Sequence, residues 1–143
     1  MSITRRSLAS SFAAFAVAPA AKAADVVRKR VFRGSSKAVY SPAVAWGNTL
    51  YLAGKGSGTA PDPADIRSCT DYVLREFEKE LRDAGSSMDK VVKVMVYLQQ
   101  PEHVPAMNEV FAQHFPTDPP ARTTIITRTP HPTLVEMDMV AGI

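Results

Sequence analysis

Arg122 is the residue whose type and setting most directly suggest chemistry. It follows the diproline Pro119-Pro120 and Ala121, and it opens a β-branched run that ends at Thr127. A rigid diproline fixes the direction of the guanidinium, and such a planar fork suits bidentate capture of a carboxylate. The plainer reading is a strand-end arginine paired with a surface acid. In the run Leu134 to Val140, alternation places Glu136 and Asp138 on one side and Val135, Met137 and Met139 on the other. If the two runs form an antiparallel hairpin turning through Arg128 to Pro132, Arg122 falls opposite Glu136 or Asp138, depending on register. A carboxylate beside a fixed arginine can activate water. It can equally be half of a structural ion pair, and the spacing fits both.

Other chemistries find little support. His103, His114 and His131 form no i,i+4 pair and have no cysteine at ligand spacing, so a zinc site is not expected. His131, between two prolines, is expected to face solvent. Cys69 is the single cysteine, which rules out an intrachain disulfide, and it falls on the apolar face of a helix as a buried thiol. Gly54, Gly56 and Gly58 lack the Lys-Ser/Thr ending and the immediately following helix of a phosphate loop.

The first 23 residues read as an export signal. Arg5-Arg6 precedes an apolar stretch from Leu8 to Ala18, Pro19 breaks it, and Ala21-Lys22-Ala23 is a small-x-small cleavage site. The paired arginines resemble a twin-arginine signal, without the phenylalanine often found two residues later. The expected boundaries are a signal over 1–23 and one domain over 24–143, delivered to the periplasm. The alternative is a cytoplasmic protein with an uncleaved N-terminal arm. The apolar stretch is too short to span a bilayer. Removing residues 1–23 lowers the basic count from 17 to 14 against 14 acids, which takes the formal charge from +3 to zero. A neutral domain has no electrostatic attraction for phosphate backbones, so nucleic-acid binding is not expected.

Several elements must position these residues. Arg28 to Phe32, Ala43 to Trp46 and Thr49 to Ala53 are strand candidates, the last two joined by a Gly47-Asn48 turn. Gly54 to Gly58 should end the third strand in a flexible loop. Asp62 can cap a helix with Pro63 at its first position and Asp65 in its first turn. Ile66, Cys69, Val73, Phe77, Leu81 and Ala84 form its apolar face, and Gly85 ends it. Val91 to Leu98 is a strand, with Val92, Val94, Val96 and Leu98 on one side. A second helix runs from Val104 to Phe115. The order β-β-β-α-β-α-β-β predicts an α+β fold, a two-layer sandwich with two helices on one face of a mixed sheet. The other face is left open and is expected to be covered by other subunits.

Taken together, these segments resemble the RidA/YjgF family. Gly85-Ser86-Ser87-Met88-Asp89-Lys90 with the strand to Leu98 resembles the family's first helix-to-strand junction. Met107-Asn108-Glu109-Val110-Phe111 and Pro119-Pro120-Ala121-Arg122-Thr123-Thr124 are similar to its signature helix and Pro-x-Arg segment. Leu134 to Asp138 resembles its closing strand, and Tyr40-Ser41-Pro42-Ala43-Val44 its front. The resemblance implies a homotrimer like chorismate mutase of the bacterial barrel type, with pockets between subunits. It implies hydrolysis of 2-imino or 2-enamino acids to 2-oxo acids and ammonia, without metal or organic cofactor. In that reading Arg122 grips the substrate carboxylate, Glu136 orients the attacking water, and Tyr40, Asn108 and Thr124 line the pocket. The alternative is a non-catalytic module of the same fold that binds small carboxylates. The chain departs from the family where Ala53-Gly54-Lys55 stands for Ser-Gly-Gln, where the loop from Gly54 to Asp62 is short, and where Thr124 replaces the cysteine of several members.

Overall fold

The computed structural model describes residues 27–34 and 38–143; the segment 1–23 read as an export signal lies outside them. Strands β1 (Lys29–Phe32), β2 (Ala43–Trp46) and β3 (Thr49–Gly56) precede helix α1 (Ile66–Asp83). Strand β4 (Val91–Leu98), helix α2 (Val104–His114), β5 (Ala121–Ile126) and β6 (Val135–Gly142) complete the fold. This is the expected α+β sandwich. Its sheet has the order β1-β2-β3-β6-β4-β5. One face packs Leu50, Leu52, Val94, Val96, Met137 and Met139 against Cys69, Val73, Phe77 and Leu81 of α1 in a single core.

The expected β5–β6 hairpin does not form. β5 runs parallel to β4, and Arg122 lies beside Val94. β6 instead fills the slot between β3 and β4, antiparallel to both. The cause is the crossover. A parallel neighbour requires an intervening element, and α2 supplies it between β4 and β5. That places β5 on the sheet's rim, while the closing strand takes the centre. Neither Glu136 nor Asp138 therefore pairs with Arg122 within the subunit.

Smaller adjustments follow similar physical lines. β3 continues through Lys55 and Gly56, which pair with Met137 and Glu136 after a register shift beyond Leu52. The first cap of α1 is Asp65, not Asp62. Its carboxylate accepts from the backbone N–H of Arg67 at 3.1 Å and Ser68 at 3.0 Å. Asp62 instead accepts from Ala64 one turn earlier. We expect Asp65→Ala to cost about 1 kcal/mol, read as a lower thermal denaturation midpoint with the fold unchanged. Gly85 ends the helix as expected, with φ +82°. Ser86 N–H donates to Leu81 and Gly85 N–H to Arg82, the paired bonds of a Schellman cap. Val92 is exposed, not on the core face, because the pairing of β4 with β6 shifts between Val91 and Lys93.

Candidate functional site

Arg122 stands on the helix-facing side of β5. Its Nη2 donates to Asn108 Oδ1 at 2.6 Å, its Nη1 lies 3.7 Å from Met107 Sδ, and its guanidinium carbon is 4.6 Å from the centre of the Phe111 ring. All three partners come from one face of α2. The diproline and the parallel register thus aim the arginine at a helix, not at a neighbouring strand. Burial draws its pKa down from the usual value; an arginine nevertheless keeps its charge. Among the described residues, no carboxylate forms a salt bridge with it. A half-buried cation with most of its five N–H groups free is unfinished business for an anion to complete. Thr124 lies two residues further along the same face, beside Val96 and half-buried.

Glu136 occupies the opposite, open face. It lies beside Tyr97 of β4 and Gly56 of β3. It lines a cavity of about 540 Å³ together with Tyr40, Ala53, Gly54, His131 and Pro132. The register shift in β3 brings Gly54 against the carboxylate. A Cβ at position 54 would sit 2.5 Å from Glu136 Oε1, so a larger residue there would push the carboxylate aside. Asp138 is engaged otherwise: Tyr97 Oη donates to its Oδ2 at 2.8 Å. That bond, with burial and the two nearby acids, raises the Tyr97 pKa and keeps the phenol a donor. Glu136 enters no salt bridge among the described residues. The five residues singled out in the sequence thus form two groups. Arg122, Asn108 and Thr124 sit on one side of the sheet, and Tyr40 and Glu136 on the other.

Comparison with known proteins shows where this arrangement belongs. Residues 32–143 match the family model described as Endoribonuclease L-PSP, which covers the RidA/YjgF and RutC proteins. The chain belongs to the RidA/YjgF family. A RutC family protein of Pyrococcus horikoshii is 36% identical over 110 residues, covering 71% of this chain and 85% of the relative. A 2-iminobutanoate/2-iminopropanoate deaminase of the mite Dermatophagoides farinae is 29% identical over 109 residues, covering 73% and 85%. Among solved structures, a Yersinia pestis protein of the conserved Rid family superposes with a TM-score of 0.74 at 28% identity, covering 81% of this chain and all of the other.

Against that RidA/YjgF background, Lys55 is harmless to the cavity. Its ammonium turns to the helix side, 3.2 Å from Glu80 Oε2 and 5.6 Å from the Phe77 ring centre. The short loop after β3 is held by a buried pin. Ser57 N–H donates to Thr133 Oγ1 at 2.6 Å, and the two hydroxyls are also 2.6 Å apart. Thr133 directly follows His131 and Pro132, which line the cavity. His131 is exposed, as the sequence suggested, and also forms part of the wall. Cys69 is fully buried, and burial pushes its thiol pKa up, the mark of an inert sulfur. The roles of Tyr97, Gly54 and Thr133 were not read from sequence. Only strand register reveals them, since each is defined by a partner more than 35 residues away.

Proposed function

We propose that this protein hydrolyses 2-imino or 2-enamino acids to 2-oxo acids and ammonia in pockets that join Arg122 of one subunit to Glu136 of the next. The observation that carries this reading is the half-buried Arg122, which has no carboxylate partner among the described residues. Within one subunit the sheet lies between the arginine and the unpaired glutamate. Each half has what the other lacks. A neighbour's β5 rim laid against the open face unites them, and that face has apolar surface to bury: Trp46 is 56% exposed and Tyr51 51%.

In the united site the guanidinium fork holds the substrate carboxylate, with Asn108 fixing the fork's plane. Glu136 takes a proton from water as the water oxygen bonds to the imine carbon. Nitrogen takes that proton as the C=N bond opens to a carbinolamine. Glu136 then carries the hydroxyl proton to nitrogen, so that C=O forms as the C–N bond breaks and ammonia leaves with the 2-oxo acid. The mite relative that is a 2-iminobutanoate/2-iminopropanoate deaminase supports this chemistry. The neutral charge of the segment 24–143 speaks against cleavage of RNA. Imines freshly generated by an amino-acid oxidase should release ammonia faster with the protein than without it. Carboxylate binding without faster release would assign the pocket to a binding module.

Two further expectations belong to this proposal. Light scattering should give three times the subunit mass, as the homotrimer requires; a folded monomer at micromolar concentration contradicts it. The protein is also proposed to be exported to the periplasm after cleavage behind Ala23. Mass spectrometry of protein from its own host should show Ala24 first, and an intact Met1 in the cytoplasmic fraction contradicts export.

A further inference from the structure

The cavity beside Glu136 also bears on which imines are used, and this inference rests on the deamination proposed above. Its floor is β3 and the turn after it, where glycine recurs at positions 54, 56 and 58. Gly54 yields its space to Glu136. Gly56 and Gly58 leave the floor without side chains, and Ala53 adds only a methyl group. The walls include Tyr40, itself 66% exposed, and the turn Pro130-His131-Pro132, whose imidazole is uncharged when deprotonated. The polar atoms that remain are largely engaged: Thr133 bonds Ser57 and the Val135 carbonyl, and Thr59 bonds Tyr72 at 2.7 Å. Among the described residues no lysine or arginine lines this cavity, and Arg128 lines the adjoining one, which shares Gly54, Pro130 and Glu136.

About 540 Å³ is the range of pockets that hold drug-sized ligands. It exceeds what a three-carbon imine needs, even after a neighbour's Arg122 occupies part of it. With the neighbour's Arg122 engaged by the substrate's own carboxylate, an acidic side chain in this cavity would face Glu136. We infer that the preferred substrates are 2-imino acids with a large uncharged side chain, aromatic or branched, lying across the glycine floor between Tyr40 and the two prolines.

The test measures kcat/KM for imines generated from phenylalanine, leucine, alanine and glutamate. The phenylalanine or leucine imine should exceed the alanine imine by about tenfold or more, the discrimination that one or two methylenes give in an apolar pocket. Gly58→Val raises the floor, and its added Cβ meets the Pro132 carbonyl at an ordinary 3.4 Å. It should bring that ratio close to one. A wild-type preference for the alanine or glutamate imine overturns the inference while leaving deamination intact, as does a ratio that Gly58→Val does not move. A second measurement is independent of turnover: phenylpyruvate should protect the wild-type protein against heat at lower concentration than pyruvate. Equal protection by the two overturns the inference. Stronger protection by phenylpyruvate with no imine hydrolysed sustains the pocket and removes the deaminase.

Discussion

Arg122→Lys is expected to lose substrate affinity about tenfold to a hundredfold although the charge is kept. Lysine carries a point charge with no planar fork, so it cannot hold both carboxylate oxygens in one plane. It also loses the geometry that Asn108 Oδ1 and the Phe111 ring impose on the guanidinium in the native protein. A charge-assisted hydrogen bond contributes roughly 1.5–3 kcal/mol, which sets the expected range. The protein itself should remain folded. Arg122 makes no salt bridge among the described residues, so the substitution leaves no buried acid without its partner. The measurement is the dissociation constant of a 2-oxo acid beside KM for the imine, with the oligomeric mass checked for each variant. Affinity that stays within twofold of wild type would remove the arginine from the site.

Glu136→Gln should separate binding from turnover. Glutamine keeps the shape of the side chain and its place beside Gly54, but it cannot accept a proton from water. Turnover should fall by on the order of a hundredfold or more while the 2-oxo acid still binds, because only the proton-transferring group has been removed. Asp138 is less well placed to substitute, since its Oδ2 accepts from Tyr97 and it does not line the 540 Å³ cavity. Turnover that survives Glu136→Gln would mean that another group activates water.

The elements were legible in the sequence because each is written locally. The 3- and 4-residue spacing from Ile66 to Ala84, the Gly85 stop and the alternation of Val135, Met137 and Met139 all reappear in the structure. Strand order was not legible from adjacency. Glu136 and Asp138 follow Arg122 closely in sequence, which favours a hairpin, yet the crossover through α2 sends β5 to the rim. Burial in the structure follows that order: β6 buries every second residue, whereas Ile125 and Ile126 of β5 on the rim are 41% and 45% exposed. The candidate site residues could be named from the sequence by type. Their division between two faces was not, because it depends on which strands are neighbours.

That division makes one measurement decisive. Arg122→Lys and Glu136→Gln proteins, each at about a tenth or less of the wild-type kcat/KM alone, should regain kcat/KM when their subunits are mixed by gentle dissociation and reassembly. In the proposed site the arginine comes from one subunit and the glutamate from the next, so hybrid trimers would contain one pocket with both native residues. Random equal mixing leaves about one quarter of all pockets intact, and activity should return to about a quarter of the wild-type value. Activity that stays at the level of the single variants after verified exchange of subunits would contradict a site shared between subunits.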